Sequence, residues 1–318
     1  MRDNTNKITL EGYLYDLSGL EIKQVKKKDS PKFGKDFLGG TFQLALAEDE
    51  NNIVSIHIGF MEPVYKSGKP NTTYSTLMNA KNAGQTWLAS GKEGALKVRV
   101  EAKIDLNDFY SINNKTMVSA RRIECSFVST LSSFTGEKTK SNYFIADMVI
   151  TNVAQIEEND EKHIKEHVEI RGAIFNFRNE LLPMSFSVTS PEGMDYFTGI
   201  ETPMYTAISG YIKNNRVEGK KRIESAFGGP IEVDDSRSFT SWEVDWAASN
   251  PYEFDEDSTE TMTIAELTKA QQDREIKLAK IKSQGEEREK ELSDDLPFGD
   301  APKTGGPAKT VPKGSFNF

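Results

Sequence analysis

Through most of the first 130 residues, apolar side chains recur at every second position, the period of a strand with one buried face. Ile8, Leu10, Gly12 and Leu14 fall on one face, and Thr9, Glu11, Tyr13 and Tyr15 on the other. Phe42, Leu44 and Leu46 alternate next and run into the polar turn Glu48-Asp49-Glu50-Asn51-Asn52, after which Ile53–Phe60 returns as the second arm of a hairpin. Leu77, Ala80, Ala83, Trp87 and Leu88 keep helical spacing instead, which predicts a short helix over 75–90. Leu96, Val98, Val100, Ala102 and Ile104 alternate with Lys97, Arg99, Glu101 and Lys103, and a last strand is expected over 117–128. Strand, hairpin, helix and two further strands is the order of an OB-fold, a five-stranded Greek-key barrel.

The opening pattern returns later in the chain. Ile8–Leu17 aligns without gaps on Val168–Phe177, sharing the apolar alternation, the central glycine (Gly12, Gly172) and one outward aromatic (Tyr15, Phe175). Glycine inside a strand commonly marks the sharp bend that closes a small barrel. Shorter strands follow over 184–188, 206–212 and 239–246, without an evident middle helix. Trp242 and Trp246 are spaced to share a strand face in the core. The expectation is a mainly β chain with two OB-fold-like Greek-key barrels in tandem. The first covers 1–155 and binds nucleic acid; the second, smaller one covers 156–250. An acidic segment and charged helix occupy 251–292, the helix itself spanning 261–292. The tail, 293–318, is rich in Pro, Gly, Lys and Asp and is expected to be disordered.

Charge sharpens this division. The chain of 318 residues carries a formal net charge of −9, but residues 1–155 alone carry +3, residues 156–250 carry −7 and residues 251–318 carry −5. Only the first unit has spare positive charge for phosphates, and a local groove outweighs the global balance because screening limits attraction to about 8–10 Å. The lone Cys125 excludes an internal disulfide and four-cysteine zinc sites. No apolar run reaches the ~18 residues of a membrane span, and the N-terminus has no apolar signal region. The protein is therefore expected in the cytoplasm.

Binding chemistry concentrates in the first unit. Proteins that hold single strands without sequence preference combine a basic groove with rings that stack on bases. Between the first two strands lie Lys26, Lys27, Lys28, Lys32, Phe33, Lys35 and Phe37, where an OB-fold places a ligand-gripping loop. Further candidates are Tyr15, Tyr65 with Lys66 and Lys69, the strand residues Lys97, Arg99 and Lys103, and Phe134 with Lys138 and Lys140. Arg121 and Arg122 point to opposite faces, so only one is expected to meet phosphate, and Arg122 is the one assigned. The second unit is a poorer surface, although Phe175, Phe177 and Arg178 have suitable chemistry.

Catalytic patterns are missing. The three histidines His57, His163 and His167 form no convincing metal set, no Gly-x-x-x-x-Gly-Lys-Ser/Thr loop is present, and no acidic cluster has the partners of a two-metal nuclease. No enzyme activity, cofactor or metal is expected.

Near the end of the chain, Asp294-Asp295-Leu296-Pro297-Phe298 resembles the acidic tip of bacterial single-stranded DNA-binding proteins, in which acidic residues and a hydrophobic-Pro-Phe hook end a disordered linker. In that family the hook ends the chain, whereas here 20 residues follow Phe298, including the aromatic terminus Ser315-Phe316-Asn317-Phe318. Together, body and tail resemble the single-stranded DNA-binding proteins of bacteriophage or bacterial replication. The resemblance implies coating and protection of single-stranded DNA during replication, recombination and repair. It also implies recruitment of replication and recombination proteins through the tail, with a homo-oligomer possible. Two alternatives stay open from sequence: a phage structural or assembly protein whose barrels bind protein, and a nuclease or annealing recombinase.

Overall fold

A computed structural model describes residues 4–136, 141–159, 164–217, 220–223, 227, 229, 231–234, 237–254 and 262–294. The first strand, β1 (Asn6–Asp16), organises it. One edge pairs antiparallel with β5 (Lys97–Ser111). The other edge pairs with β7 (Asn142–Ile156) through residues 6–10 and with β3 (Asp36–Leu46) through residues 12–16. The change of partner falls at Gly12, where a Cβ would lie 2.2 Å from the Ala45 carbonyl oxygen, so only glycine allows the strand to curl there.

β3 continues to β4 (Ile53–Met61), β4 runs parallel to β6 (Thr116–Thr130), and β6 pairs with β5. The ring β1–β3–β4–β6–β5 is thereby closed, with the strand order and the single parallel pair of an OB-fold. The predicted helix over 75–90 is two helices, α1 (Thr72–Asn82) and α2 (Trp87–Gly94), separated at Gly84, whose φ is 65°. Asn71 starts α1 by accepting from the amides of Thr73 and Tyr74 at 3.1 and 3.3 Å. Sequence patterning also missed β2 (Leu20–Gln24), which pairs with the start of β3 and lifts residues 25–35 off the barrel as a hairpin arm.

A second ring repeats the plan. β7 pairs with β8 (His167–Phe175), β8 with β9 (Leu181–Val188), β9 runs parallel to β13 (Arg237–Ala247), and β13 pairs with β10 (Met204–Val217), which returns to β7. A small hairpin, β11 (Lys220–Ile223) with β12 (Ile231–Asp234), interrupts the β10–β13 connection. The chain is thus mainly β, with two OB barrels in tandem joined by the β1–β7 ladder.

Several sequence expectations need correction. The second ring starts at Asn142, so its first strand lies within the stretch assigned to the first unit. β7 pairs with β1, β8 and β10 and is buried on both faces over 146–150, which erases the alternation that would have marked it. For the same reason the ten-residue repeat aligned unlike strands: β1 is the first strand of its ring, whereas β8 is the second of its own. A middle helix exists, α3 (Pro191–Thr198), capped by Ser190. Phe175 is buried, because α4 (Ile264–Asp294) and the segment before it bring Met262, Leu267 and Ala270 over that face. α4 begins after and ends beyond the expected 261–292, so Asp294 closes a helix. Trp242 is buried as expected. Trp246, by contrast, is half exposed, because a bulge opposite Ser209 and Gly210 turns it to the other face.

Candidate nucleic-acid interface

In an OB-fold the second and third ring strands and the loop before them form the ligand face; here these are β3, β4 and the β2–β3 arm. The arm is built by backbone bonds. Val25 donates to the Lys35 carbonyl and Gly34 to the Val25 carbonyl, each at 3.0 Å, and Gly34 takes a φ of 78° that its lack of a Cβ permits. Lys26, Lys27, Lys28, Phe33 and Lys35 are all exposed on this loop.

At its base Phe37 stacks on Phe60 of β4, with centroids 4.5 Å apart and an interplanar angle of 27°. The Lys32 ammonium sits 4.3 Å from the Phe60 ring centroid. It also pairs with Glu62 at 2.6 Å. The next loop folds beside them: Val64 bridges to Pro70, and Tyr65 donates its amide to the Lys69 carbonyl at 2.8 Å. The Glu62 carboxyl is held below the ordinary range, first by the Lys32 hydrogen bond and further by the charges of Lys32, Lys35 and Lys66. One acid therefore sits within a ring of lysines. Exposed aromatic surface remains on Phe33 (54%), Phe60 (42%) and Tyr65 (45%). Of the residues expected from sequence, this face gathers Lys26, Lys27, Lys28, Lys32, Phe33, Lys35, Phe37, Tyr65, Lys66 and Lys69.

Phe60 was missed. Val54, Ile56 and Ile58 are buried, and the same period would bury Phe60 too. Between Leu38 and Gly40 the β3–β4 register shifts, so that Met61 turns inward and Phe60 outward. Only the Gly59-Phe60 pair at the strand end hints at that bulge in the sequence.

Other expected residues lie elsewhere. Tyr15 and Phe134 belong to a cluster on the β1–β5 side. Its centre is Tyr13, 5.6 Å from Trp87 and 5.0 Å from Phe134, with Tyr15 6.2 Å from Trp87. Lys97 lies 5.6 Å from the Phe134 ring in this cluster. Arg99 is engaged by Glu11, whose side chain is fully buried, at 2.5 Å. Burial raises the Glu11 carboxyl, but the Thr135 and Arg99 hydrogen bonds outweigh it and leave it below the ordinary range. Lys103 lies 4.3 Å from the ring of Phe177, an exposed side chain from the second barrel that also stacks under Arg178 at 5.1 Å. Arg122 is neutralised by Asp105 at 2.7 Å and Glu124 at 3.3 Å, while Glu124 also holds His57 at 2.7 Å. Its neighbour Arg121 has no carboxylate within ion-pair distance among the described residues.

Lys138, Lys140, Asp295, Leu296, Pro297 and Phe298 lie outside the described residues, as does His163; Asp294 is the last residue of α4. That helix is fastened along the β5–β6 hairpin. Arg274 pairs with Asp108 at 2.9 Å, and Glu289 takes the Tyr110 hydroxyl at 3.1 Å and the Lys115 ammonium at 2.7 Å. Burial pushes the Cys125 thiol up to about 12, so it is neutral at physiological pH. Among the described residues no helix is long and apolar enough to cross a membrane, and no group of three or more His, Cys, Asp or Glu is placed to hold a metal.

A family model described as YorF matches residues 4–284. No curated protein matches the chain. Among solved structures, the wild-type single-stranded DNA binding protein from Thermus aquaticus is similar at 12% identity and a TM-score of 0.45, covering 81% of this chain and 98% of that one. A deletion mutant of the same protein gives 12% identity and a TM-score of 0.46, covering 81% and 100%.

Proposed function

This chain belongs to the YorF family, whose description states no activity, and we propose that it is a non-catalytic protein that binds single-stranded DNA without sequence preference. The observation that carries this reading is the Phe37–Phe60 stack, flanked by Lys32 and exposed beside Phe33 and Tyr65, on the face where an OB-fold takes its ligand. Exposed rings among lysines suit unpaired bases and their phosphates, each stacked base contributing roughly 1–3 kcal/mol. A duplex hides its bases from such rings.

The role that follows is to coat and protect unwound strands during replication, recombination or repair. The tail from Asp294 onward supplies a docking element for partner proteins. Its support is the placement of α4. Glu289 ties α4, near its C-terminal end, to the tip of the β5–β6 hairpin.

The test is a titration of fluorescent oligo-dT against a duplex of equal length at two salt concentrations. Tight binding of oligo-dT alone is expected. Replacing Lys26, Lys27 and Lys28 by Ala should weaken it and reduce the salt slope by up to about 0.7 per lost phosphate contact. Absence of binding at low salt, or equal affinity for duplex, rejects the proposal.

A further inference from the structure

Arg121 and Arg122 are adjacent on β6 and face opposite ways. Arg122 is spent on Asp105 and Glu124. Arg121 points between the barrels, where its guanidinium carbon lies 5.1 Å from the Phe186 ring centroid and 5.2 Å from that of Trp242. Its only described hydrogen bond is donated to the Ser185 carbonyl. The acid that acts on it electrostatically is Glu169. Glu169 is itself held by Arg171, through a Nε–Oε2 bond of 2.7 Å and a second contact to the same oxygen. Arg121, Arg171 and Glu169 together leave one positive charge unanswered.

The charge is not sealed in. On one side it borders a cleft of about 500 Å³, whose polar lining includes Ser119, Thr151, Glu169, Arg171 and Ser185. On the other it borders a smaller cleft of about 190 Å³ with Ser55 and Asn214. The neighbouring charges Arg122, Asp105 and Glu124 are paired with one another, and His57 with Glu124. A half-buried arginine that only filled space would carry a desolvation cost offset only by its ring contacts and the Ser185 carbonyl, whereas an apolar side chain of similar volume packs on Phe186 and Trp242 without that cost.

We infer that this inter-barrel cleft is a second anchoring point, in which Arg121 takes a backbone phosphate of the bound single strand. The inference rests on the single-strand reading above and extends the path of the strand. Ser55 and Phe60 lie on the same strand, β4, about 17 Å apart at ~3.4 Å per residue, so a chain stacked on Phe60 reaches the cleft by following β4. A guanidinium fork matches phosphate geometry. Burial pulls the Arg121 pKa down to about 10, still far enough above neutrality to keep the charge.

The experiment uses the full chain and two oligo-dT lengths, about 8 and about 30 nucleotides, within and beyond the site size of a single barrel. Arg121→Met keeps the stem on the aromatic rings and removes the charge. Thr151→Glu places a negative charge at the exposed rim without touching the core. Both variants should bind the short oligomer as wild type does and the long one about tenfold more weakly, with a shallower salt slope for Arg121→Met. If wild type binds the short oligomer and neither variant loses affinity for the long one, Arg121 is a packing residue and the inference falls alone. If wild type binds neither oligomer, the single-strand reading falls with it. If Arg121→Met does not fold, Thr151→Glu decides by the same comparison.

Discussion

Phe37 and Phe60 stack face to face at 4.5 Å on the outside of the first barrel, and Phe60 reaches that position through an irregularity while Phe37 sits in a regular ladder. A bulge turns Phe60 outward at the end of β4, and Phe37 stands opposite Lys23 at the base of the β2–β3 arm. A stacked pair beside two further exposed rings, Phe33 and Tyr65, buries little and orders several side chains, which is a cost to folding without a ligand.

Phe60→Ala is therefore expected to weaken single-strand binding by roughly 1–3 kcal/mol, about 5- to 150-fold, with little change in melting temperature. Phe134→Ala, in the Tyr13–Trp87 cluster on the other side of the barrel, should leave affinity unchanged. Fluorescence anisotropy with labelled oligo-dT measures both. Equal losses from the two variants would mean that the strand does not follow the β3–β4 face.

Gly285 lies in the middle of α4 under Tyr110. A Cβ there would stand 2.4 Å from the Tyr110 Cβ and 2.6 Å from its Cγ. On propensity alone, Gly→Ala stabilises a helix by about 1 kcal/mol. Here overpacking, at typically ~1–3 kcal/mol, should win. Gly285→Ala is expected to lower the melting temperature, read by calorimetry. A higher one would show that α4 does not lie against the hairpin.

Asp108 and Arg274 form the most buried ion pair that fastens α4, with side chains 4% and 9% exposed. Burial raises the Asp108 carboxyl, but hydrogen bonds from Arg274 and Ser119 outweigh it and bring it below the ordinary range. A carboxyl lowered on folding contributes stability that is complete above its unfolded value, about 3.9, and is lost as pH falls below that. Stability should therefore drop between pH 5 and pH 2, and Asp108→Asn should flatten that drop while lowering stability at pH 7. Arg274→Met, which strands the buried carboxylate, should cost about 3–5 kcal/mol at pH 7. Urea titrations at both pH values check this. An acid limb as steep in Asp108→Asn as in wild type would place the pH dependence on other carboxylates, such as Glu11 and Glu124, which are also lowered.

Strands with one wet face were legible from alternation: β1, β3, β4, β5 and β6 were found, and their order gave the first barrel. β7 was assigned to the wrong ring because its middle, residues 146–150, is buried on both faces and shows no alternation. The lysines and rings of the β2–β3 arm were legible as a composition. Which cations carry an acid partner was not: Arg99, Arg122 and Lys32 looked as available as Lys26, Lys27 and Lys28, and only the fold revealed Glu11, Asp105, Glu124 and Glu62 beside them.

The sequence alone determined the fold class and marked the Lys- and Phe-rich segment between the first strands, because strand period, glycine position and local charge are short-range properties. Tertiary structure decided which side of a strand each functional residue faces and which cations keep their charge free. A single bulge inverts the facing of Phe60, and a carboxylate many residues away cancels Arg122 while leaving Arg121 unpaired. Both outcomes depend on contacts between distant segments, which no local pattern encodes.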